Sequence, residues 1–471
     1  MQIGKVLTSL AALLLFAGIA FAQEPQDSAQ DPAQKPAQVV ETTAPQDLRK
    51  VPDGVGKVYD MKACVERGLA ANPSILAVRA QLSGAEYETY STFTDMLPST
   101  TATYGYTHQD REVGENASGR RDVWGLHLNV TQPLFPGVSL LNAFQKGMLE
   151  EEQTQAQLQN VELTLIGEIQ TAFLTLLQAR MNVKSAEDSL ERLKSQLQVT
   201  TAYYEVGLKP RLDVLQAETD LATAEQELLK ARNSVATQVA KLNTLLNLPL
   251  EADVEYVGQL DERDFSLDLK QALARAYANR PDIRIGEKSV AIARKDFNIT
   301  ASGLLPSVDA ELDYYKKGDG ADLSNDSAQW SRSAQEYWTA GVSMTYSLGA
   351  LGTTQVLDSL KADHNVSQIM AELEKTKLDA GYEVKAALLN IAEARDRIVV
   401  AHKSVTAATE AYRMALARYQ AQVGTNTDVL DAQANVSSSE AQLIQALADY
   451  QSSLSTLYIA MGERNLGLET K

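Results

Sequence analysis

The sequence predicts a mainly α chain with a membrane β-barrel part, internally duplicated, built on long coiled-coil helices and four amphipathic strands. Three observations predict it. Two distant segments carry the same "DVL", at Asp213 and Asp428, and each opens a seven-residue apolar repeat. Landmarks recur in the same order in both halves: Asn72-Pro73 and Arg280-Pro281, then Leu97-Pro98-Ser99 and Leu305-Pro306-Ser307. After each Leu-Pro-Ser, apolar and polar residues alternate with period two, the mark of a strand with two unlike faces.

Composition agrees with long helices. Of 471 residues 44% are hydrophobic but only 6% aromatic, which suits paired helices better than a mixed α/β core. The formal net charge of −18 disfavours nucleic acid, because phosphate binding needs clustered Lys and Arg to release counterions. A single cysteine, Cys64, excludes an internal disulfide.

Residues 1–22 read as a secretory signal peptide. Lys5 gives the positive start, "LTSLAALLLFAGIAFA" the apolar run, and Ala20-Phe21-Ala22 the small-x-small cleavage site. No later window is apolar enough for a membrane helix. Residues 23–60 read as a flexible leader, rich in Pro, Gln and Ala without a periodic apolar face. Two structural repeats follow, 61–250 and 251–471. Each is expected to run from a short helix through the Asn-Pro or Arg-Pro step to a second helix, then two strands, a very long helix, a turn, and the DVL helix.

The strands are legible in their alternation. Trp124, Leu126, Leu128 and Val130 interleave with Gly125, His127, Asn129 and Thr131. Val308, Ala310, Leu312 and Tyr314 interleave with the acids Asp309, Glu311 and Asp313. Trp338, Ala340, Val342, Met344, Tyr346 and Leu348 interleave with small polar residues. Such strands match membrane-spanning β-strands of about ten residues, and equally a half-buried hairpin in a soluble sheet. Export of the chain favours the membrane. Four strands do not close a useful barrel and an open edge is not tolerated in lipid, so a membrane role requires several chains. The connections 111–121 and 316–335 are polar and Gly/Ser-rich and read as exposed loops.

The helices are longer than a membrane is thick. Ser139 to Val206 contains no proline, and at 1.5 Å per residue it spans about 100 Å. In the DVL helices Val214, Leu221, Leu228, Val235 and Leu242 fall at one heptad position, with Ala217, Ala224, Ala231 and Leu245 at another. The second copy gives Val429, Val436, Leu443, Tyr450 and Leu457, with Ala432, Ser439, Ala446, Ser453 and Ala460. Both read as seams of paired helices with close backbone approach.

The signal sequence, the duplicated helix-strand-strand-helix unit, "LPS" before the first strand, "TQPLF" after the second and "Y-x-x-G…DVL-x-A" at the helix turn together resemble the TolC-like outer-membrane efflux proteins. The resemblance implies a homotrimer with a twelve-stranded barrel in the lipids of the cell outer membrane and a helical tunnel in the periplasm. It implies an exit duct for an efflux or type I secretion system, opened at its helical tips by a periplasmic adaptor and an inner-membrane pump. It places Asp428 and Asp431 at the channel constriction, and Tyr419 and Asp213 in a tip latch. Without the resemblance, Asp428 and Asp431 read as helix-start acids that stabilise the helix dipole. The sequence departs from the family pattern at Gln422, where the first copy keeps Gly207, and at Gly424, where a basic residue is expected. Both departures speak against a latch of the ion-pair kind. Asp309, Glu311 and Asp313 are expected to face the lumen and favour cations.

No catalytic residue, metal site or cofactor is expected. The four histidines, His108, His127, His364 and His402, form no metal-ligand spacing, and neither a phosphate loop nor a nucleophile elbow occurs. The competing reading is a periplasmic coiled-coil scaffold or adaptor without a barrel, which accounts for the heptads but not for the strands.

Overall fold

The computed structural model describes residues 58–108, 122–136, 138–252, 254–318, 320–323, 336–347 and 349–468. The expected signal peptide, the leader up to residue 57 and the loop 111–121 lie outside them, as does most of the loop 316–335. The described residues are mainly helical, with two small β-structures, and the same element order appears in both halves. The first half contains β1 (Val58–Tyr59), α1 (Met61–Ala71), α2 (Pro73–Thr94), β2 (Ser99–His108), β3 (Asp122–Phe135), α3 (Ser139–Glu205) and α4 (Arg211–Leu245). The second contains β4 (Glu255–Tyr256), α5 (Leu269–Asn279), α6 (Pro281–Ser302), β5 (Ser307–Gly318), β6 (Glu336–Thr345), α7 (Thr353–Gln420) and α8 (Asn426–Ala460).

Local chemistry sets the breaks. Proline at the first position of a helix loses nothing, because that N–H is unpaired anyway, but it forces the preceding residue out of helical geometry. Asn72 and Arg280 therefore each end one helix and begin the next in extended conformation. Each also ties its break to the far end of its own half. Asn72 Nδ2 donates to the Leu245 carbonyl at 2.9 Å, and Arg280 Nη1 donates to the Ala460 carbonyl at 3.2 Å. The Arg280 fork also takes Asp282 (2.6 Å) and Glu383 (2.6 Å), and its side chain is only 11% exposed.

The core lies where the middle of α3 meets the ends of other helices. Ile166, Ile169, Phe173 and Leu176 of α3 meet Leu242 and Leu246 at the end of α4, Ile75 of α2, and Tyr450, Leu454 and Leu457 of α8. Each such side chain contributes about 2 kcal/mol when taken fully out of water. Two short strands close this region: β1 pairs parallel with β4, Tyr59 opposite Tyr256. Val58 and Tyr59 are thus part of the fold, although the leader was expected to run through residue 60. The Tyr256 hydroxyl donates to Asn243 Oδ1. Burial pushes the Cys64 thiol up to about 12, so it is a packing residue rather than a nucleophile.

The heptad seams are where the repeat predicts. Ala217, Leu228 and Leu242 are buried along α4, and Val429, Ala432, Val436, Tyr450 and Leu457 along α8. The α8 seam is buried more completely because α8 packs on both α7 and α3, whereas α4 packs mainly on α3.

The second β-structure is a four-stranded antiparallel sheet in the order β2-β3-β5-β6, so β2 and β6 each have one open edge. In the first strand, "STTATYGYTH", Ala102, Tyr104 and Tyr106 are the outward set, paired with Leu128, Leu126 and Trp124. The outward face is apolar and uncovered: Trp338, Val342 and Met344 are each exposed by more than two-thirds. A bare apolar sheet face of this size is incompatible with a soluble monomer. At one end Trp124 stacks with Tyr104 and meets Tyr106 at a tilt of 42°, forming an aromatic band. Strand β5 continues to Gly318, so the connection expected from residue 316 starts later, and β6 stops at Thr345, leaving Tyr346 outside the strand. No helix of the described residues is long and apolar enough to cross a membrane.

Candidate functional site

Two places gather the residues that the sequence singles out: the end where the long helices turn, and the polar face of the sheet. At the turns, α3 passes into α4 through Gly207 and α7 passes into α8 through Gln422. Both positions are left-handed, with φ of 76° and 61°. The geometry returns the chain by bonding the amides that follow to carbonyls of the last helical turn: Leu208 N to Tyr203 O (2.8 Å), and Val423 N to Arg418 O (3.0 Å). The glycine missing at 422 is therefore missing where the backbone still needs positive φ.

Asp428 is held locally. It is the third residue of α8, and Thr425 is the N-cap. The Thr425 amide donates to Asp428 Oδ2 at 3.0 Å, and the Asp428 amide donates to Thr425 Oγ1 at 3.1 Å. This capping box satisfies two amides that the helix start leaves free. The Thr425 amide and hydroxyl, together with the Arg418 charge, hold the Asp428 carboxyl below its ordinary value.

Asp431, one turn on, is exposed and unconstrained by such a bond. It lines a cleft of about 420 Å³ between α4 and α8 with Asp220, Thr219, Leu212, Leu215 and Gln216. Gln216 is the first-repeat counterpart of Asp431, so the two positions meet. Burial, and then the Asp431 charge, push the Asp220 carboxyl above its ordinary value. Asp220 lies one helical turn beyond Gln216, and the sequence reading missed it.

Tyr419 is completely buried. Its hydroxyl donates to Thr200 Oγ1 at 3.3 Å, and its ring lies 5.7 Å from that of Tyr203. Burial raises its phenol above the ordinary value, and Asp213 adds to the shift. Asp213 joins the same network through its backbone: its carbonyl accepts from Asn426 Nδ2 at 3.1 Å. Asn426 Oδ1 in turn accepts from Gln196 Nε2 at 2.7 Å. Gln196, Thr200, Tyr419 and Asn426 are each at most 3% exposed. They form a buried polar knot joining the α3–α4 turn to the α7–α8 turn.

The basic residue absent at Gly424 is replaced from the other turn. Lys209 Nζ donates to the Gly424 carbonyl at 3.3 Å and lies 4.9 Å from the centre of the Tyr419 ring. A side chain at 424 would crowd the Tyr419 amide, 3.1 Å from an added Cβ. The cation thus comes from the opposite hairpin, and it joins the two turns through a cation–π contact and a carbonyl bond rather than through an ion pair. Sequence reading missed Lys209, Thr200, Gln196 and Asn426; only the "T-N-T-D" capping pattern at 425–428 was locally legible.

On the sheet, pairing places Asp309, Glu311 and Asp313 on the same face as His127, Asn129 and Thr131. His127 Nε2 and Asn129 Nδ2 both reach Asp313 Oδ1, at 2.7 and 2.9 Å. Thr339 Oγ1 reaches Oδ2 at 3.4 Å. Among the described residues no three His, Cys, Asp or Glu side chains come together as a metal site.

Comparison with known proteins gives this architecture its relatives. The chain is 24% identical to the probable efflux pump outer membrane protein TtgC of Pseudomonas putida over 317 residues, 67% of this chain. It spans 63% of the length of that relative, under two-thirds. It is 26% identical to the outer membrane protein TolC of Vibrio cholerae over 411 residues, covering 83% of this chain and 88% of that one. The crystal structure of VceC from Vibrio cholerae superposes with a TM-score of 0.74 at 20% identity, over 87% of this chain and 97% of that one. The CmeC channel of Campylobacter jejuni gives a TM-score of 0.74 at 16% identity, over 87% and 86%. The family model described as outer membrane efflux protein matches residues 65–248 and 272–463. With helical hairpins on a four-stranded membrane sheet and that match over both halves, the chain is an outer-membrane protein and belongs to the outer membrane efflux protein family.

Proposed function

We propose that the chain is one third of a passive exit duct, in which three copies complete a twelve-stranded barrel and a helical tunnel. One observation carries this reading. A sheet with a bare apolar face and two open edges stands at the end of helices about 100 Å long, and lipid tolerates such a sheet only when other strands cover its edges. The polar face then lines the lumen, with Asp309, Glu311 and Asp313 favouring cations. Repeats 61–250 and 251–471 each supply two strands and one hairpin.

The hairpin turns are the periplasmic entrance. Asp431 of each chain lines the constriction, and Asp428 anchors the start of the helix that presents it. The knot of Tyr419, Thr200, Asn426 and the Asp213 carbonyl, together with Lys209, holds the two turns of one chain together. Its polar groups have partners ready to exchange when an adaptor and an inner-membrane pump dock. Of the relatives, TtgC is named for efflux and AprF of Pseudomonas aeruginosa for alkaline protease secretion. Such a duct supplies no energy itself, and its adaptor and pump must.

Single-channel recording of the detergent-purified protein in planar bilayers tests this. A small cation-selective conductance whose selectivity changes in an Asp428→Asn, Asp431→Asn double variant is expected. A conductance indifferent to the variant moves the constriction elsewhere. Protein that never needs detergent and gives no conductance overturns the channel in favour of a periplasmic scaffold.

A further inference from the structure

The polar face of the sheet carries an arrangement that a cation-preferring lumen does not require. Register places Thr103, His127, Tyr315 and Tyr337 in one row across the four strands. The His127 and Tyr315 rings stack 4.2 Å apart and 4° from parallel, and the Tyr315 and Tyr337 rings 4.9 Å apart at 21°. The row therefore forms a three-ring column. It ends on one side at the small Thr103 and on the other at the β6 edge.

The next row along the strands is Thr101, Asn129, Asp313 and Thr339, and the one after it Ser99, Thr131, Glu311 and Gly341. Asp313 is fixed by donors from β3 and β6. Among the described residues Oδ1 is occupied by His127 and Asn129, whereas Oδ2 holds only the long Thr339 bond, so it keeps acceptor capacity. At Gly341 an added Cβ would meet nothing, so open space lies beside Glu311.

We infer that the His127–Tyr315–Tyr337 column, with Asp313 and Glu311 in the next two rows, is a binding site for planar aromatic cations passing through the barrel. The two end rings keep outer faces for stacking, and Asp313 one row away and Glu311 two rows away offer the counter-charge. A planar anion meets the same rings, but the two acids outweigh the single cation on that face beside the rings, Lys317 in the row on their other side. A compact tetrahedral cation meets the acids but gains no stacking. This deepens the lumen assignment above and rests on it, since only a water-filled interior brings cargo to this face.

The test uses the full chain in detergent, with ethidium as the planar cation, fluorescein as the planar anion and tetraethylammonium as the non-planar cation. Fluorescence anisotropy follows ethidium and fluorescein, and current block in planar bilayers follows all three probes. Ethidium is expected to bind saturably and block the current, with affinity at least tenfold weaker in Tyr315→Leu, Tyr337→Leu and nearly unchanged in Tyr315→Phe, Tyr337→Phe. Asp313→Asn keeps the rings and the shape; it is expected to weaken ethidium severalfold and narrow its preference over fluorescein. Should the leucine variant not assemble, the Asp313→Asn result decides. Ethidium affinity untouched by either variant, or no saturable binding, overturns the site while leaving a conducting channel intact. Ring-dependent binding without conductance would keep the site and remove the duct.

Discussion

Tyr419 and Thr200 lie at the ends of different hairpins, and the Tyr419 hydroxyl donates to Thr200 Oγ1 at 3.3 Å with both residues wholly buried. A polar bond shut away from water is costly to leave half-made, because the abandoned group loses its partner without gaining water. The turn end of the molecule is thus held by few bonds of high individual consequence.

Asn426 bridges the two turns in that knot: its Oδ1 accepts from Gln196 Nε2 and its Nδ2 donates to the Asp213 carbonyl. Asn426→Ala removes the shorter of the two bonds made by Gln196 Nε2, whose other runs to Thr200 Oγ1 at 3.2 Å, together with the side-chain donor to the Asp213 carbonyl, and is expected to destabilise the turns by about 1 kcal/mol, roughly five-fold in the local opening equilibrium. Hydrogen exchange of amides around Thr200 measures it. Protection equal to wild type would show that the knot does not hold the hairpins.

Lys209 and Tyr419 are coupled through the ring. Lys209→Met keeps the stem and removes the charge and the donor to Gly424, and is expected to cost about 1 kcal/mol. A double-mutant cycle with Tyr419→Leu is expected to show a coupling of about 0.5–1 kcal/mol, and strict additivity would remove the contact from the account.

The two left-handed turn positions make opposite predictions. Gln422→Gly relieves a side chain from positive φ and is expected to stabilise its hairpin by about 1 kcal/mol. Gly207→Ala meets no atom within 4 Å, so its cost is backbone conformation alone, about 1 kcal/mol in the other direction. Hydrogen exchange at the two turns separates them. A shift of the same sign at both would refute the strain argument.

The acids near the turns have opposite pH signatures. The Asp220 carboxyl sits above its ordinary value of 3.8 in the fold, so its contribution is full below that value and is lost as pH rises through the folded one. Above that window the ionised Asp220 and Asp431 oppose each other. The Asp428 carboxyl sits below 3.8, so its contribution is present above that value and lost as pH falls through the folded one. Asp220→Asn is expected to flatten the loosening on the alkaline side of 3.8, and Asp428→Ala to loosen the turn at neutral pH with a difference from wild type that fades on acidification. Turn opening followed against pH by cysteine labelling checks both slopes, and identical profiles for the two variants would contradict the assignment.

Arg280 ties the break between α5 and α6 to the end of α8. Arg280→Lys keeps the charge but loses the planar fork that serves Asp282, Glu383 and the Ala460 carbonyl together, and is expected to cost about 2 kcal/mol. Asn72→Asp is the companion change in the first half, removing the donor to the Leu245 carbonyl. Thermal unfolding of both variants shows whether the two breaks carry comparable loads.

The sequence by itself determined the elements, because each is written in a local period. Proline after Asn72 and Arg280 placed the helix breaks, the absence of proline from Ser139 to Val206 allowed one long helix, and alternation about Leu128 and Leu312 separated the two faces of the sheet. The duplication was legible because both halves keep the same landmarks. Tertiary structure alone decided which residues meet at the turns. Nothing near Gly424 announces that its cation is Lys209, nor does the surrounding sequence announce that Asp220 lies beside Asp431. Strand register likewise decided that His127, Tyr315 and Tyr337 stack: a slip of one residue would turn every side chain to the other face. The physical reason is the same in each case. Period and propensity act between neighbours in the chain, whereas these contacts join residues from separate hairpins or strands that only the packed core brings together.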